Sequence, residues 1–146
     1  MGTGALKPRI NFVTLGVTDM AAMRAFYERL GLVASSASNP EVTFFDANGI
    51  VLALFGYQAL AEDAGVAAGA VPGFRGVGVA WNAVSEDEVE RIMAHAKAAG
   101  AAITKKAEKV FWGGYSGYFA DPEGHLWEVA FNPFMPIDAG GHVQLP

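Results

Sequence analysis

The sequence predicts an α+β fold in which one chain carries two βαβββ modules, each with a sheet that forms a half-barrel cup. Three observations support this prediction. A strand, a helix and a terminating glycine are complete by Gly31, the same order returns and ends at Gly100, and short strand candidates follow each helix. A length of 146 residues fits one structural domain built from two small halves. Each sheet has a second face without a helix, and that face is free to close around a ligand.

The first module is predicted over residues 8–56. Residues 10–17 alternate between the two faces of a strand and are rich in β-forming residues. Thr18 or Asp19 offers a helix N-cap, and apolar residues at spacings of three and four predict a helix that ends at Gly31. Three short strands are predicted to follow, at residues 32–36, 41–46 and 50–55.

The second module is predicted over residues 76–133. A strand at residues 76–83 leads into a capping box formed by Ser85 and Glu88, and the helix that follows ends at Gly100. Four strands are predicted after it, at residues 102–104, 109–112, 115–120 and 125–131. The order of strand, helix and several strands repeats that of the first module, with one additional strand candidate.

Two segments lie outside the modules. Residues 57–75 are rich in Ala and Gly and are predicted to form a linker with a short helix at residues 58–63. Residues 134–146 are predicted to form an irregular tail. The chain is therefore expected to be two modules, a linker and a tail within one structural domain.

Composition excludes several classes of protein. Without cysteine the chain has no disulfides, thiolate metal sites or cysteine nucleophiles. Ten Lys and Arg against fifteen Asp and Glu give a net charge of -5, which disfavours nucleic-acid binding. No apolar stretch is long enough for a membrane span and no export signal is visible, so we expect a cytoplasmic protein. The aromatic content of 12% predicts an apolar pocket or a buried subunit interface.

Two groups of residues carry a resemblance to a known family. The first is LGVTDM at 15–20 with FYERLG at 26–31, and the second is YFADPEGHLWE at 118–128. Together they resemble the vicinal oxygen chelate superfamily, which includes glyoxalase I, the extradiol dioxygenases and the bleomycin-resistance proteins. The resemblance covers about residues 8–133 and implies the paired-module fold. Family habit and the unpaired edge strands of a half-barrel together predict a homodimer.

The resemblance also implies four metal-ligand positions, one on the first and one on the last strand of each module. In this sequence those positions are Phe12, Ala53 or Leu52, Gly78 or Val79, and Glu128. Only Glu128 has a donor atom, whereas a transition metal needs three or four. We therefore expect no bound metal and no other cofactor.

Strand alternation predicts what the free face of the sheets carries. Trp127 and Val129 are expected beneath a helix, which turns Glu128 into the cup. The candidate ligand-binding residues are Phe12, Thr14, Asn82, Trp112, Tyr115 and Glu128. Their rings and sparse polar groups predict an apolar pocket for a planar or aromatic molecule. The alternative is that the same rings fill the core or a dimer interface.

Three functions follow from this pattern. The leading one is a binding protein that holds a small, aromatic molecule in an apolar cup without metal. The alternative is a lyase or isomerase resembling lactoylglutathione lyase, in which Glu128 is the general base or binds nickel, zinc or iron. Tyr115 or Tyr118 is then the acid partner of Glu128, and alternation allows only one of them to face the cup. The third is a structural protein whose concave face is filled by its own side chains.

Overall fold

The computed structural model describes residues 6–71 and 73–146, so residues 1–5 and Pro72 of the predicted linker lie outside the described chain. The elements in order are β1 (Phe12–Val17), α1 (Met20–Leu30), β2 (Val42–Asp46), β3 (Val51–Gly56), α2 (Tyr57–Ala64), β4 (Gly78–Asn82), α3 (Glu86–Ala99), β5 (Ala102–Lys109), β6 (Tyr115–Ala120) and β7 (Leu126–Phe131). Within the described residues, no helix has the length and apolar character needed to cross a membrane.

The strands form two sheets, one for each module. The first has the order β1-β3-β2, with β1 parallel to β3, and the second has the order β4-β7-β6-β5, with β4 parallel to β7. Each module therefore places its first strand at a sheet edge, beside its last strand. This arrangement confirms the predicted α+β fold of paired modules.

The helices begin and end where the sequence predicts. The side chain of Asp19 accepts a hydrogen bond from the first turn of α1, and Ser85 Oγ accepts one from the Glu88 amide at 3.1 Å. Gly31 and Gly100 end α1 and α3 with φ of 123° and 117°, a conformation that residues with a Cβ rarely adopt. The short helix predicted in the linker is α2.

The strand predicted at residues 32–36 is wrong. Only an isolated bridge between Ala34 and Phe45 forms there, so the first sheet has three strands instead of four. Serine hydroxyls take the place of the strand ladder: Ser38 Oγ accepts from the Phe44 amide at 2.9 Å, and Ser35 Oγ accepts from a nearby backbone amide. Such local side-chain bonds compete with regular strand pairing.

The second module also corrects one prediction. Residues 102–104 and 109–112 were expected to be separate strands, but β5 runs without interruption to Lys109 and pairs with β6 through two register shifts. The residues after it form a tight turn in which the Val110 amide donates to the Gly114 carbonyl at 3.0 Å. Gly113 in this turn has a φ of 94°, which explains why glycine stands there.

Both modules share one core on the helix side of the sheets. Phe26 and Tyr27 of α1, together with Val89 of α3, are fully buried in it. Trp127 of β7 stacks on Phe119 in the same cluster, with ring centroids 6.1 Å apart. Because the core lies on this side, the opposite faces of β1 and β4 remain available to solvent or to a ligand.

Candidate functional site

Two cavities open where the edge strands of the two sheets face each other. Val13 of β1 and Val79 of β4 line both of them. We name them after one lining residue each. The Trp81 cavity has a volume of about 400 Å³ and includes Leu52, Trp81, Asn82 and Trp127. The Arg75 cavity has a volume of about 230 Å³ and includes Tyr57, Leu60, Arg75 and His125.

Aromatic rings form one side of the Trp81 cavity. The ring centroids of Trp81 and Trp127 are 6.0 Å apart, at an interplanar angle of 50°. Asp46, Asn48 and Asn82 add polar groups to an otherwise apolar lining. The cavity therefore combines ring surface for stacking with a few groups that can orient a ligand.

The C-terminal tail closes one side of the Trp81 cavity. Gly141 and Val143 line it, although they follow the second module by several residues. Asn48 Nδ2, in the turn between β2 and β3, donates to the Gly140 carbonyl at 2.8 Å. This bond ties the tail to the first module beside the cavity.

The predicted ligand-binding residues do not gather in one place. Asn82 lines the Trp81 cavity and Thr14 lines the Arg75 cavity. Phe12 lies in a third hollow with Phe44, where the two rings meet edge to face at 6.1 Å and 54% of Phe12 is exposed. Trp112 packs its ring over Gly114, where a Cβ would come within 1.7 Å of it, and lines neither junction cavity.

Tyr115 lies on the helix side of β6 and does not face the cup, contrary to the prediction. Its hydroxyl donates to Glu90 of α3, and this hydrogen bond raises the pKa of Tyr115 to about 12. The physical reason is strand alternation. Tyr118, which pairs with Glu128 in the β6–β7 register, takes the free face, so Tyr115, three residues before it, takes the other.

Glu128 is half-buried on the free face of the second sheet, as predicted. Its register partners are Ala80 on β4 and Tyr118 on β6. Burial raises the pKa of the Tyr118 hydroxyl, and the neighbouring Glu128 carboxylate raises it further through its charge and a hydrogen bond. Of the two tyrosines considered, Tyr118 is therefore the partner of Glu128. The carboxylate lines neither junction cavity.

The residues of the free face do not fit the metal centre that the resemblance implies. The register differs from the expected one: Ala53 pairs with Thr14 and not with Phe12, and Glu128 pairs with Ala80 and not with Gly78 or Val79. Glu128 is thus the one carboxylate among these pairs. Across residues 6–71 and 73–146, no three histidine, aspartate or glutamate side chains lie close enough together to hold a metal ion. A single carboxylate does not supply a transition-metal site.

A buried polar network joins the modules beside the Arg75 cavity. Asp121 accepts hydrogen bonds from the Tyr27 hydroxyl at 2.6 Å and from His125 Nδ1 at 2.7 Å. The other ring nitrogen of His125 lies 3.1 Å from the Gly16 carbonyl of β1. Trp127 completes this Asp121 network by donating to the Tyr27 oxygen at 3.0 Å.

The position of His125 corrects the sequence analysis of the turn that contains it. A histidine that flanks a turn is predicted from the sequence to lie on the surface, but the side chain of His125 is only 10% exposed. Burial opposes ionisation of Asp121, yet the hydrogen bonds from His125 and Tyr27 hold the pKa of that carboxyl below its ordinary value. The network is therefore a charged, internally satisfied link between the modules.

Glu123 adds a second link from the same turn. Its carboxylate accepts from the Thr18 amide at 2.7 Å, the Thr18 hydroxyl at 2.9 Å and the Asp19 amide at 2.9 Å. The segment before α1 and the β6–β7 turn are the two stretches that carry the family resemblance. They lie about a hundred residues apart in the sequence and contact each other directly in the fold.

Two lining residues were missed as functional candidates. Trp81 alternates with Asn82 on β4, so the sequence predicts that it packs in the core, and no sequence signal shows that the sheets leave a gap there. Arg75 lies in the Ala- and Gly-rich linker, outside any periodic pattern. A single Arg between Phe74 and Gly76 in such a segment was the only available signal.

The fold and the junction cavities define a two-module α+β protein with room for a small molecule between its modules. The chain belongs to the Glyoxalase/Bleomycin resistance protein/Dioxygenase superfamily, whose family model matches residues 9–129. No curated protein is similar enough in sequence to match.

Solved structures support the same family. A glyoxalase-related enzyme from Fulvimarina pelagi is 41% identical, with 94% of this chain and 97% of that chain covered and a TM-score of 0.84. A glyoxalase/bleomycin resistance protein/dioxygenase from Nocardioides is 28% identical, with 99% and 93% covered and a TM-score of 0.76. A lactoylglutathione lyase from Agrobacterium tumefaciens is 25% identical, with 87% and 96% covered and a TM-score of 0.68.

Proposed function

We propose that this protein binds a small, aromatic molecule in the apolar Trp81 cavity, without a bound metal. The observation that carries the proposal is the cavity itself: about 400 Å³ between the modules, with the rings of Trp81 and Trp127 in its lining. Small-molecule sites commonly enclose roughly 300–1,000 Å³ and are mostly apolar with a few polar groups. One- or two-ring compounds fit this description.

Ring stacking supports an aromatic ligand over an aliphatic one. Offset or edge-to-face ring pairs contribute about 0.5–1.5 kcal/mol beyond the burial of their area. Trp81 is half-buried and Trp127 is 5% exposed, so both are held by the core before any ligand enters. A rigid wall of this kind reduces the ordering cost of binding.

The metal-free part of the proposal rests on the donor set. Glu128 faces Ala80 across the strand pair, and the corresponding pair of the first sheet is Thr14 with Ala53. No observation on the molecule favours the lyase or isomerase alternative over binding. We propose that Glu128 and Tyr118 form a polar pair on the free face and that Glu128 does not bind a metal.

We further propose that the protein is a cytoplasmic homodimer. The outer strands β2 and β5 each have one unpaired edge, and exposed strand edges favour association with another chain. Phe12, Phe111 and Phe134 expose large apolar surface. Sedimentation equilibrium at micromolar concentration tests this part, and a purely monomeric protein contradicts it.

The binding proposal is tested with indole and 2-naphthol as probes, using calorimetric titration and thermal unfolding. The parent protein is expected to bind one probe molecule per chain and to unfold at a higher temperature in its presence. Trp81→Leu is expected to weaken binding by about tenfold, because it removes a wall of the cavity. Trp112→Leu is the matched control, since Trp112 lies over Gly114 in the β5–β6 turn.

Three further outcomes would contradict the proposal. Dialysis against a chelator is expected to leave probe affinity unchanged, and restoration of binding by added nickel, zinc or iron contradicts the metal-free part. Equal loss of affinity in Trp81→Leu and Trp112→Leu contradicts the assignment of the cavity, as does the absence of binding by both probes.

A further inference from the structure

Among the described residues, the buried side-chain nitrogen and oxygen atoms without a hydrogen-bond partner all belong to the guanidinium of Arg75. Its Nε and Nη1 atoms are buried without a hydrogen-bond partner, while Nη2 donates to the Glu123 carbonyl at 2.8 Å. Leaving a buried donor unpaired destabilises the fold, and the penalty is larger when the group is charged. An arginine held in this state indicates a site that is completed by an acceptor from outside the chain.

No carboxylate of the described chain forms an ion pair with Arg75. The two acidic side chains of the β6–β7 turn, which Arg75 contacts at the Glu123 carbonyl, already have other partners. Asp121 is bound by His125 and Tyr27, and the Glu123 carboxylate is bound at Thr18 and Asp19. The positive charge of Arg75 therefore remains free for a ligand.

The surroundings of Arg75 define what kind of ligand fits. The Arg75 cavity, about 230 Å³ in volume, is otherwise lined mainly by apolar side chains, among them Val13, Leu15, Leu60 and Phe74. A fully hydrated inorganic anion gains nothing from such walls. A carboxylate with a small hydrocarbon body pairs with the guanidinium and buries its body against the walls.

Residues of the linker form one wall of this cavity. Gly16 has no Cβ, and one placed there would lie 3.1 Å from the Tyr57 ring, so the glycine lets α2 pack closely on β1. The Tyr57 hydroxyl donates to the Ala68 carbonyl at 2.8 Å and fixes the returning chain above its own ring. Arg75 follows in a stretch without helix or strand, between α2 and β4.

We propose that the Arg75 cavity is a binding site for a small organic monocarboxylate whose carboxylate accepts hydrogen bonds from the unpaired guanidinium nitrogens of Arg75. Arg75 is one of the residues that line the cavity, so a ligand held there lies against its side chain. Charge-assisted bonds between arginine and a carboxylate are short and roughly twice as strong as neutral ones. This site is separate from the Trp81 cavity, and its existence does not depend on the ligand proposed for that cavity.

The test compares acids with neutral molecules of the same shape. Benzoate and butyrate are titrated into the full-length protein beside benzamide, butyramide and sulfate, with calorimetry and thermal unfolding as readouts. The two carboxylates are expected to bind at least about tenfold more tightly than their amides. Sulfate is expected to bind more weakly than either acid, because it has no apolar body.

Variants then assign the binding to Arg75. Arg75→Gln is expected to weaken benzoate binding by at least about tenfold, while Arg91→Gln, which removes the same charge from an arginine side chain that is 74% exposed, leaves it unchanged. Arg75→Lys keeps the charge and loses the planar guanidinium, so its affinity for benzoate is expected to lie between those of the parent and Arg75→Gln. Indole binding in the Trp81 cavity is measured on every variant and is expected to stay constant, which also shows that each variant is folded.

Four results overturn the proposal. The first is equal benzoate affinity in the parent and in Arg75→Gln. The second is equal binding of benzoate and benzamide, and the third is equal binding of benzoate and sulfate. An absence of carboxylate binding to a protein that still binds indole also overturns it, without affecting the function proposed for the other cavity.

Discussion

The two turns that lead into β3 and β7 meet the neighbouring module in different ways. The β6–β7 turn reaches across with His125 and Glu123 and hydrogen-bonds the first module at Gly16 and Thr18. The β2–β3 turn leaves the Trp81 cavity between itself and β4. One side of the module junction is closed by polar contacts and the other side is open.

The difference follows from side chains at equivalent places in the two turns. Asp46 precedes Leu52 by as many residues as Asp121 precedes Trp127. Counted in the same way, the second turn has His125 where the first has Ile50, an apolar side chain without hydrogen-bonding groups. The polar contacts between the modules therefore lie on one side of the junction. They hold the modules together while a cavity remains on the other side.

The largest expected effect comes from breaking the closed side. Asp121→Ala is expected to lower the free energy of unfolding by about 3–5 kcal/mol, because it leaves the Tyr27 hydroxyl and the His125 ring without their buried acceptor. Urea unfolding followed by circular dichroism measures this change. The loss is expected without any direct change to the Trp81 cavity.

Asp46→Ala is the matched control on the open side. Asp46 is exposed and accepts one bond from the Asn48 amide within its own turn, so its removal is expected to cost no more than about 0.5–1 kcal/mol. Similar losses for the two variants would show that the Asp121 network is no more important to stability than an ordinary turn contact.

A pH series sharpens the same comparison. The folded pKa of Asp121 lies below its ordinary value of 3.8, so the folded chain binds this proton less readily than the unfolded chain. The contribution of Asp121 to stability is therefore complete above about pH 4 and is lost as the pH falls through the folded pKa. As the pH falls below about 4, the difference in unfolding free energy between the parent and Asp121→Asn is expected to shrink.

Urea midpoints at pH 7, 5, 4 and 3 measure this effect for both proteins. Asp46→Asn is the control and is expected to run parallel to the parent through the whole series, because no buried partner depends on its charge. An Asp121→Asn protein that keeps the full acid dependence of the parent would show that other carboxyl groups are responsible for it.

The sequence predicted most of the fold because its signals are local. Caps and apolar spacing defined α1 and α3, and both ended at glycines with positive φ, as expected. The failures at residues 32–36 and 109–112 have local causes too, but of a kind that alternation does not reveal: serine hydroxyls replace a strand ladder in the first, and a tight turn follows β5 in the second.

The site was less predictable because it depends on how the two modules meet. Alternation correctly turned Glu128 to the free face, yet it did not show whether the cavity lies at that carboxylate or between β1 and β4. Trp81 was assigned to the core and Arg75 was not considered. Trp81 lines a gap between the sheets, and Arg75 lies in the folded linker. Neither feature produces a periodic pattern in the sequence.

The smallest expected effect compares the outer contacts of the two turns. Glu123→Ala removes the acceptor of three hydrogen bonds from Thr18 and Asp19 and is expected to cost about 1–2 kcal/mol, since the contact is solvent-exposed and water replaces part of it. Asn48→Ala removes one bond to the tail at Gly140 and is expected to cost about 0.5 kcal/mol.

The informative readout for these two variants is the rate of ligand binding. Asn48→Ala is expected to speed indole association with the Trp81 cavity, because the tail that closes it is released, whereas Glu123→Ala leaves that rate unchanged. Faster association in Glu123→Ala, measured by stopped-flow fluorescence, would show that the closed side also controls entry and that the two sides of the junction are not independent.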